Sequence, residues 1–469
     1  MKRLLMGIVG ASALGAGVAN AQLSQDETMA RLDGATFSGY RVEAEDCPFN
    51  ACNARSVTNL SEARSFLAGA LANGFFEPAP EDDNGKQIER RRASIQEVFL
   101  NFDAGGDPFF FVDVVFLDGT TGFLTLPDFF YTPENRDAVM AGIEADFEDF
   151  QFHFFPEDPG NGEFTTLNIG DNDRALGSTN ITLIEVAPGS FSFSILFGVA
   201  DEIDFGNVNN ASAAFVDASF WVLLRDFFPA ALGPLSGIPV ADPTDPVELA
   251  AVTEQAVIQQ TINTGTHEIA HTLGLRHHDS FGAPGDGLPT TGVPGPDDFV
   301  PVFPGPSDAG ETILHIMATG ASVALPIQNS SSVDRFFSER AAIKLAINER
   351  GRFFDEDFFN RRNAKKSVRL LPLRVPNTIV EGVNAGSRFL DVKQAVIEGR
   401  ISEEGEIDRY HFRGRRGEFM NLEQVSFTDF TLEDTLFFSE LRVFKKERDG
   451  SETLVTSNFL PAESIDPLI

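Results

Sequence analysis

Cysteine, positive charge and long apolar runs are all scarce in this chain. Two cysteines in 469 residues allow at most one disulfide, so the fold cannot be a cross-linked scaffold. Both lie in Asp46-Cys47-Pro48-Phe49-Asn50-Ala51-Cys52, and a local bridge between Cys47 and Cys52 is the default in an exported chain. Lys and Arg total 36 against 70 Asp and Glu, a formal net charge of −34. So acidic a surface argues against nucleic acid or an anionic membrane as a partner. The acidic excess suits a salty exterior, where repulsion is screened. After the first residues no run is long and apolar enough to cross a bilayer, so stable membrane insertion is not expected. Long internal repeats and calcium-binding Gly-Asp nonapeptides are also missing.

The N-terminus reads as a secretory signal peptide over residues 1–21. Lys2 and Arg3 form a basic head, an apolar run extends through Val18, and Ala19-Asn20-Ala21 supplies the small-x-small cleavage signal. The expected location is therefore extracellular or periplasmic. A chain of 469 residues exceeds the usual single domain, so two folded units are expected.

Residues 22–93 form a mixed segment, either a propeptide or an extension that packs on the catalytic domain. It contains a helix candidate at 61–71, a linker-like acidic run at 77–85 and a basic stretch, Glu89-Arg90-Arg91-Arg92. From 94 to 351 the pattern predicts a domain of mixed sheet and helix. Strands are expected at 95–102, 164–169 and 191–197. A helix is expected at 133–150, with Thr132 as its cap and Pro133 in its first turn. A second should run from about Val247 to Gly274, and a closing helix over 338–347. Residues 279–310 are rich in Gly, Pro and Asp and read as an ordered loop or lid. Beyond 368, short apolar strands between charged turns predict a small β-sandwich over 368–469. The fold class expected is α+β.

The chemistry concentrates in His267-Glu268-Ile269-Ala270-His271-Thr272-Leu273-Gly274-Leu275-Arg276-His277. Residues four apart share a helix face, so His267 and His271 can point at one ion. Gly274 can end the helix in a left-handed turn and return His277 to the same ion. Three neutral imidazoles leave one position of a tetrahedral zinc open for chemistry, and Glu268 stands beside the first ligand, placed to act on water. His278 and Asp279 come directly after, as a polar loop, or as a substitute ligand or a partner of a zinc histidine. One thiolate of the cysteine pair capping this zinc in a latent precursor is the alternative to the disulfide.

This run resembles the long zinc motif of the metzincin metallopeptidases, and Ile313-Leu314-His315-Ile316-Met317-Ala318-Thr319-Gly320 resembles their Met-turn. The resemblance spans about 94–350. It implies His267, His271 and His277 as Zn2+ ligands, Glu268 as general base and Met317 as the floor of the zinc pocket. Thr319 stands where some metzincins carry a metal-reaching tyrosine, so no tyrosine switch is implied. Residues 390–450 are similar to the pre-peptidase C-terminal β-sandwich of secreted bacterial peptidases. That similarity rests on Glu398-Gly399-Arg400-Ile401, Glu406-Ile407-Asp408-Arg409-Tyr410-His411-Phe412 and Asp434-Thr435-Leu436 with Leu441-Arg442-Val443-Phe444. The chain ends where such domains usually continue.

The expected function is therefore secreted zinc endopeptidase activity on a protein or peptide substrate, with an extended substrate paired to a sheet edge drawn from Phe191–Phe197. Two alternatives stand beside it: a catalytically inactive zinc-containing binding protein, and a zinc amidase acting on cell-wall peptides. Oligomeric state is not encoded in any of these features.

Overall fold

The computed structural model of the chain describes residues 22–42, 95–102, 109–160, 164–170, 181–200, 205, 211–280, 314–318, 320, 323–329, 335–351, 353–355, 368–376, 389–398, 407–415, 422, 440–447 and 449–459. Residues 1–21, Cys47 and Cys52, the helix candidate at 61–71, the 77–92 stretch and most of residues 279–310 lie outside the described residues.

Period-two alternation builds two five-stranded sheets. In β3 (Phe109–Val115), Phe110, Val112 and Val114 turn inward, while Phe109, Phe111 and Val115 face solvent. This strand forms an antiparallel pair with β4 (Thr121–Pro127). The sheet continues through β7 (Ile181–Ala187) and β8 (Ser190–Ile195) to β1 (Thr36–Val42), in the order β1-β8-β7-β3-β4. Helix α1 (Gln25–Leu32) packs on β4. Residues from the segment before 94 are thus built into this sheet.

The second sheet has the order β5-β2-β6-β10-β9, from β2 (Gln96–Asn101), β5 (Phe152–Phe155), β6 (Thr165–Ile169), β9 (Gly198–Ala200) and β10 (Ala213–Val216). Its first four strands pair in parallel, and β9 closes one edge antiparallel to β10. The expected strands at 95–102, 164–169 and 191–197 are present, but the last is not an edge. It lies between β1 and β7, with Phe191, Phe193 and Phe197 buried. The three residues after it form β9, which ends the second sheet among the described residues.

Helix α2 (Pro133–Asp146) starts as the sequence predicts: the Thr132 side chain accepts from the Asn135 amide and Pro133 occupies the first turn. Two short apolar helices, α3 (Phe220–Phe227) and α4 (Pro229–Ser236), pack against the long helix α5 (Pro246–His271). Asp245 caps α5, and the Glu248 carboxylate accepts the amides of Ala241 and Asp242 at 2.6 and 2.9 Å. Where α2 crosses α5, a Cβ on Gly142 would come within 2.5 Å of Ile262 Cδ1, so glycine permits the close approach. Phenylalanine fills much of the core: Phe193 meets Phe220 and Phe228 edge-on at 5.2 and 5.3 Å, and Phe147 meets Phe337 at 5.1 Å.

The short helix α6 (Leu325–Gln328) and the closing helix α7 (Glu339–Arg350, capped by Ser338) complete this body. The architecture is a mixed arrangement of α and β elements, compatible with the α+β expectation. Beyond Gly351 the described strands form three pairs: β11 (Phe353–Asp355) with β14 (Val396–Glu398), β12 (Leu371–Pro376) with β13 (Phe389–Gln394), and β15 (Glu440–Lys446) with β16 (Glu452–Phe459). Strand β12 lies against α7, with Val375 fully buried and Leu373 only 7% exposed within the main core.

That contact ties β12 to helix α7. Leu373→Ala should lower the stability of the unit containing α7 by about 2–3 kcal/mol through lost burial and a residual cavity. Thermal melting followed by tryptophan fluorescence checks this, since Trp221, the chain's one tryptophan, is buried beneath α5. An unchanged transition would mean that β12 adds nothing to that core.

Candidate metal centre

A tight turn at the end of α5 brings the three histidines together. Residues 272–274 turn out of the helix, and Gly274 takes a left-handed φ of 83°. A Cβ there would also fall 2.3 Å from Phe205 Cα, so both conformation and space demand glycine. The chain then enters a short 3₁₀ turn, His277–Ser280. The outcome is a buried group in which one ring nitrogen from each of His267, His271 and His277 lies within 4.8 Å of the others.

Hydrogen bonding at the far nitrogens fixes what the near ones offer. His267 Nδ1 is 2.7 Å from the Ile316 carbonyl oxygen, and His271 Nδ1 is 2.8 Å from that of Leu275. A carbonyl can only accept, so each Nδ1 carries the hydrogen and each Nε2 presents a lone pair. Those Nε2 atoms approach to 2.9 Å, and His277 Nε2 stands 3.3 Å from that of His267. Converging lone pairs repel unless a cation lies among them. Nitrogens around a tetrahedral zinc are separated by about 3.3 Å, given Zn–N bonds of roughly 2.0–2.1 Å. The donor set and its outer partners therefore fit a metal ion.

The expected Met-turn supplies one of these outer partners. His315–Ala318 forms a tight turn closed by Ala318 N donating to His315 O at 3.1 Å. The turn exchanges backbone hydrogen bonds with Phe336 on both sides of His315, through Ile316 N and Leu314 O, each 3.0 Å. Met317 is fully buried next to the carbonyl that orients His267. His315 itself is directed away, toward the Ser280 carbonyl and the Phe336 ring. Its burial, opposed in part by the Ser280 bond, pushes its pKa down to about 4, so it is neutral near pH 7. Thr319 lies outside the described residues.

Glu268 is fully buried one residue after the first histidine, under strand β9. An ideal Cβ on Gly198 would lie 2.6 Å from Glu268 Oε1 and 2.5 Å from Thr264 Cγ2. Glycine at the first position of β9 thus makes room for this carboxylate. Nothing in the local sequence pattern marks Gly198, because the crowding comes from a helix that begins 48 residues later.

Asp279, which the sequence pattern allows as either loop or ligand partner, acts through the turn that carries His277. One oxygen, Oδ2, accepts from Arg276 N at 2.8 Å and from Lys344 Nζ at 2.8 Å. Lys344 is 7% exposed and Asp279 fully buried. The Asp279 carbonyl also accepts the Ser338 hydroxyl, and Asn348 Nδ2 donates to Leu273 O at 2.7 Å. Helix α7 therefore grips both ends of the turn that delivers His277. Lys344 had one sequence signal: it interrupts the apolar run Ala341-Ala342-Ile343-Lys344-Leu345-Ala346-Ile347. The side chain of His278 lies outside the described residues.

No family model, curated protein or solved structure matches the chain. Its geometry shows a buried three-histidine group that can hold a metal ion. Among the described residues no helix is long and apolar enough to cross a membrane.

Breaking a buried ion pair from one side leaves a charge without its counterion. Lys344→Met should therefore cost about 3 kcal/mol of stability. It should also weaken metal retention, because the His277 turn loses its anchor. Melting and competition with a chelator, measured on the same preparation, test both effects. Unchanged metal affinity in a destabilised variant would confine the pair to holding the fold.

Proposed function

We propose that the chain is a secreted zinc-dependent endopeptidase of the metzincin kind. The observation that carries this is the convergence of the His267 and His271 Nε2 lone pairs and a ring nitrogen of His277 next to Glu268, a buried carboxylate on the helix of the first two. A purely structural zinc site has no use for Glu268. The edge strand β9 runs past that carboxylate, where backbone pairing can hold an extended peptide.

His267, His271 and His277 would hold the ion. When bound, zinc supplies Lewis acidity and brings the pKa of water toward neutrality. Glu268 accepts the proton of the attacking water as its oxygen joins the carbonyl carbon, and returns that proton to the amine as the C–N bond breaks. The carbonyls of Ile316 and Leu275 keep the imidazoles in one tautomer and one orientation throughout. The secretory leader, the acidic surface and the scarcity of cysteine support an exported enzyme. The C-terminal segment's likeness to a pre-peptidase sandwich belongs to the same proposal.

Glu268→Gln should retain zinc and lose activity by about 100- to 10,000-fold, since an amide cannot accept the proton. Metal content and turnover of a peptide library, with cell-wall fragments run in parallel, check it. Near-wild-type turnover with zinc bound would remove the general base, and cleavage of wall fragments alone would make the enzyme an amidase.

Gly198→Ala should act through the same carboxylate. The new methyl displaces Glu268, so turnover should drop at least tenfold at full zinc occupancy, of the order expected for misplacing a catalytic group by about an ångström. Full activity in this variant would show that Glu268 needs no room at β9.

A further inference from the structure

We propose that Phe353, which follows helix α7, is a positioning residue for the metal centre and acts through Phe205 on the turn between His271 and His277. The proposal rests on the three-histidine group as a metal site, and not on the reaction performed there. That turn hinges on Gly274, at a φ of 83°. Glycine gives the chain its way out of α5, but it is also the residue that holds a conformation least firmly, so a fixed His277 needs contacts from outside the turn. Two ligands depend on this hinge. The Leu275 carbonyl accepts from His271 Nδ1 at 2.8 Å, and His277 follows two residues later. A shift at Gly274 therefore reaches the orientation of one ligand and the placement of another. Helix α7 restrains the turn before and after the glycine, through Asn348 on the Leu273 carbonyl and Lys344 on Asp279.

The contact at the glycine itself comes from Phe205. A Cβ on Gly274 would collide with the Phe205 Cα, N and Cβ atoms, so this backbone lies directly against the hinge. Phe205 belongs to the connection between β9 and β10, five residues after the strand whose Gly198 makes room for Glu268. Its ring is backed by Phe353, the first residue of β11. The two rings stack with centroids 6.2 Å apart and planes 29° from parallel, within the usual range for offset aromatic pairs. Both are half-buried against the main core. Strand β11 has only three residues, and its parallel pairing with β14 sets Phe353 opposite Val396, which packs on the same core. Contact thus passes from β14 to Phe353, to Phe205, to Gly274 and so to the mounts of His271 and His277. Removing the Phe353 ring lets Phe205 retreat and takes away the stop at the hinge, while the hydrogen bonds from α7 remain. An ordinary packing pair lowers stability wherever it sits. A pair that backs the Gly274 hinge lowers metal retention as well.

The test uses the full chain, with zinc and cobalt(II) as probes. Transfer of zinc to excess dipicolinate is timed in wild type, Phe353→Ala, Phe353→Tyr and Leu183→Ala. Leu183 is fully buried in β7 of the first sheet, so its truncation reports lost stability away from the histidine turn. Phe353→Ala should release zinc about tenfold faster, at the lower end of what loss of outer support for a ligand does to a metal site. Phe353→Tyr keeps the stacked ring and should restore wild-type release, and Leu183→Ala should match wild type although it melts earlier. The visible absorption of the cobalt(II) protein, which follows ligand geometry, should change in Phe353→Ala and not in Leu183→Ala. Phe205→Leu and the double variant close a cycle: acting through Phe205, the loss of Phe353 adds nothing to Phe205→Leu. Unchanged release in Phe353→Ala, equal acceleration in Leu183→Ala, or additive effects in the double variant would overturn the inference. Should Phe353→Ala fail to fold, Phe353→Leu takes its place in the same cycle and decides by the same outcomes. A wild-type chain that takes up neither metal removes the centre and this inference with it. Zinc release that follows Phe353 in a chain that cleaves no peptide would support the inference and reject the peptidase reading.

Discussion

Two backbone carbonyls, those of Ile316 and Leu275, decide what the rest of the site can be. By accepting from the far nitrogens of His267 and His271 they turn both near nitrogens into lone-pair donors that point at one volume. Without them either ring could present an N–H inward, and the cluster would be a hydrogen-bonded knot rather than a ligand set. Each carbonyl is in turn the product of a turn: one is set by the left-handed Gly274, the other by the His315–Ala318 turn pinned to Phe336. Ligand geometry is thus inherited from backbone geometry at two places far apart in the chain.

The closing helix α7 holds these places together. Phe337 joins the aromatic cluster at the end of α2, while Ser338, Lys344 and Asn348 all reach the 272–280 turn. Arg335, a few residues earlier, secures the other turn through the carbonyls of His315 and Ile316. A single stretch of sequence therefore braces the mount of His277 and the mount of His267 at once. A buried ion pair such as Lys344–Asp279 is costly to desolvate and adds little net stability compared with an apolar pair. Its value lies in specifying one position for the turn, which a patch of methyl groups would hold less sharply.

Much of this was legible because it is local. The histidine spacing, the glycine that ends α5, the cap at Thr132 and the alternation in β2, β6 and β8 all depend on neighbours within about one or two turns of chain. Helices α3 and α4 escaped because each has only eight residues, too few for a 3.6-residue period to declare itself, and α4 is apolar nearly all round. The expectation of a sheet edge at 191–197 failed for a related reason. Phe191–Ile195 has the stronger strand pattern because it is buried between neighbours, whereas β9 is three residues long and carries little apolar signal.

The features that could not be read from the chain are those that depend on two distant segments meeting. Gly198 has no special conformation; its lack of a side chain matters only because Glu268 and Thr264 arrive against it. The same holds for Lys344, whose partner is 65 residues away, and for Arg335, whose donors matter because the His315–Ala318 turn arrives against them. The ligands are close in sequence because a helix and one turn can deliver them together. The residues that position the ligands are under no such constraint, and chain folding alone decides which they are.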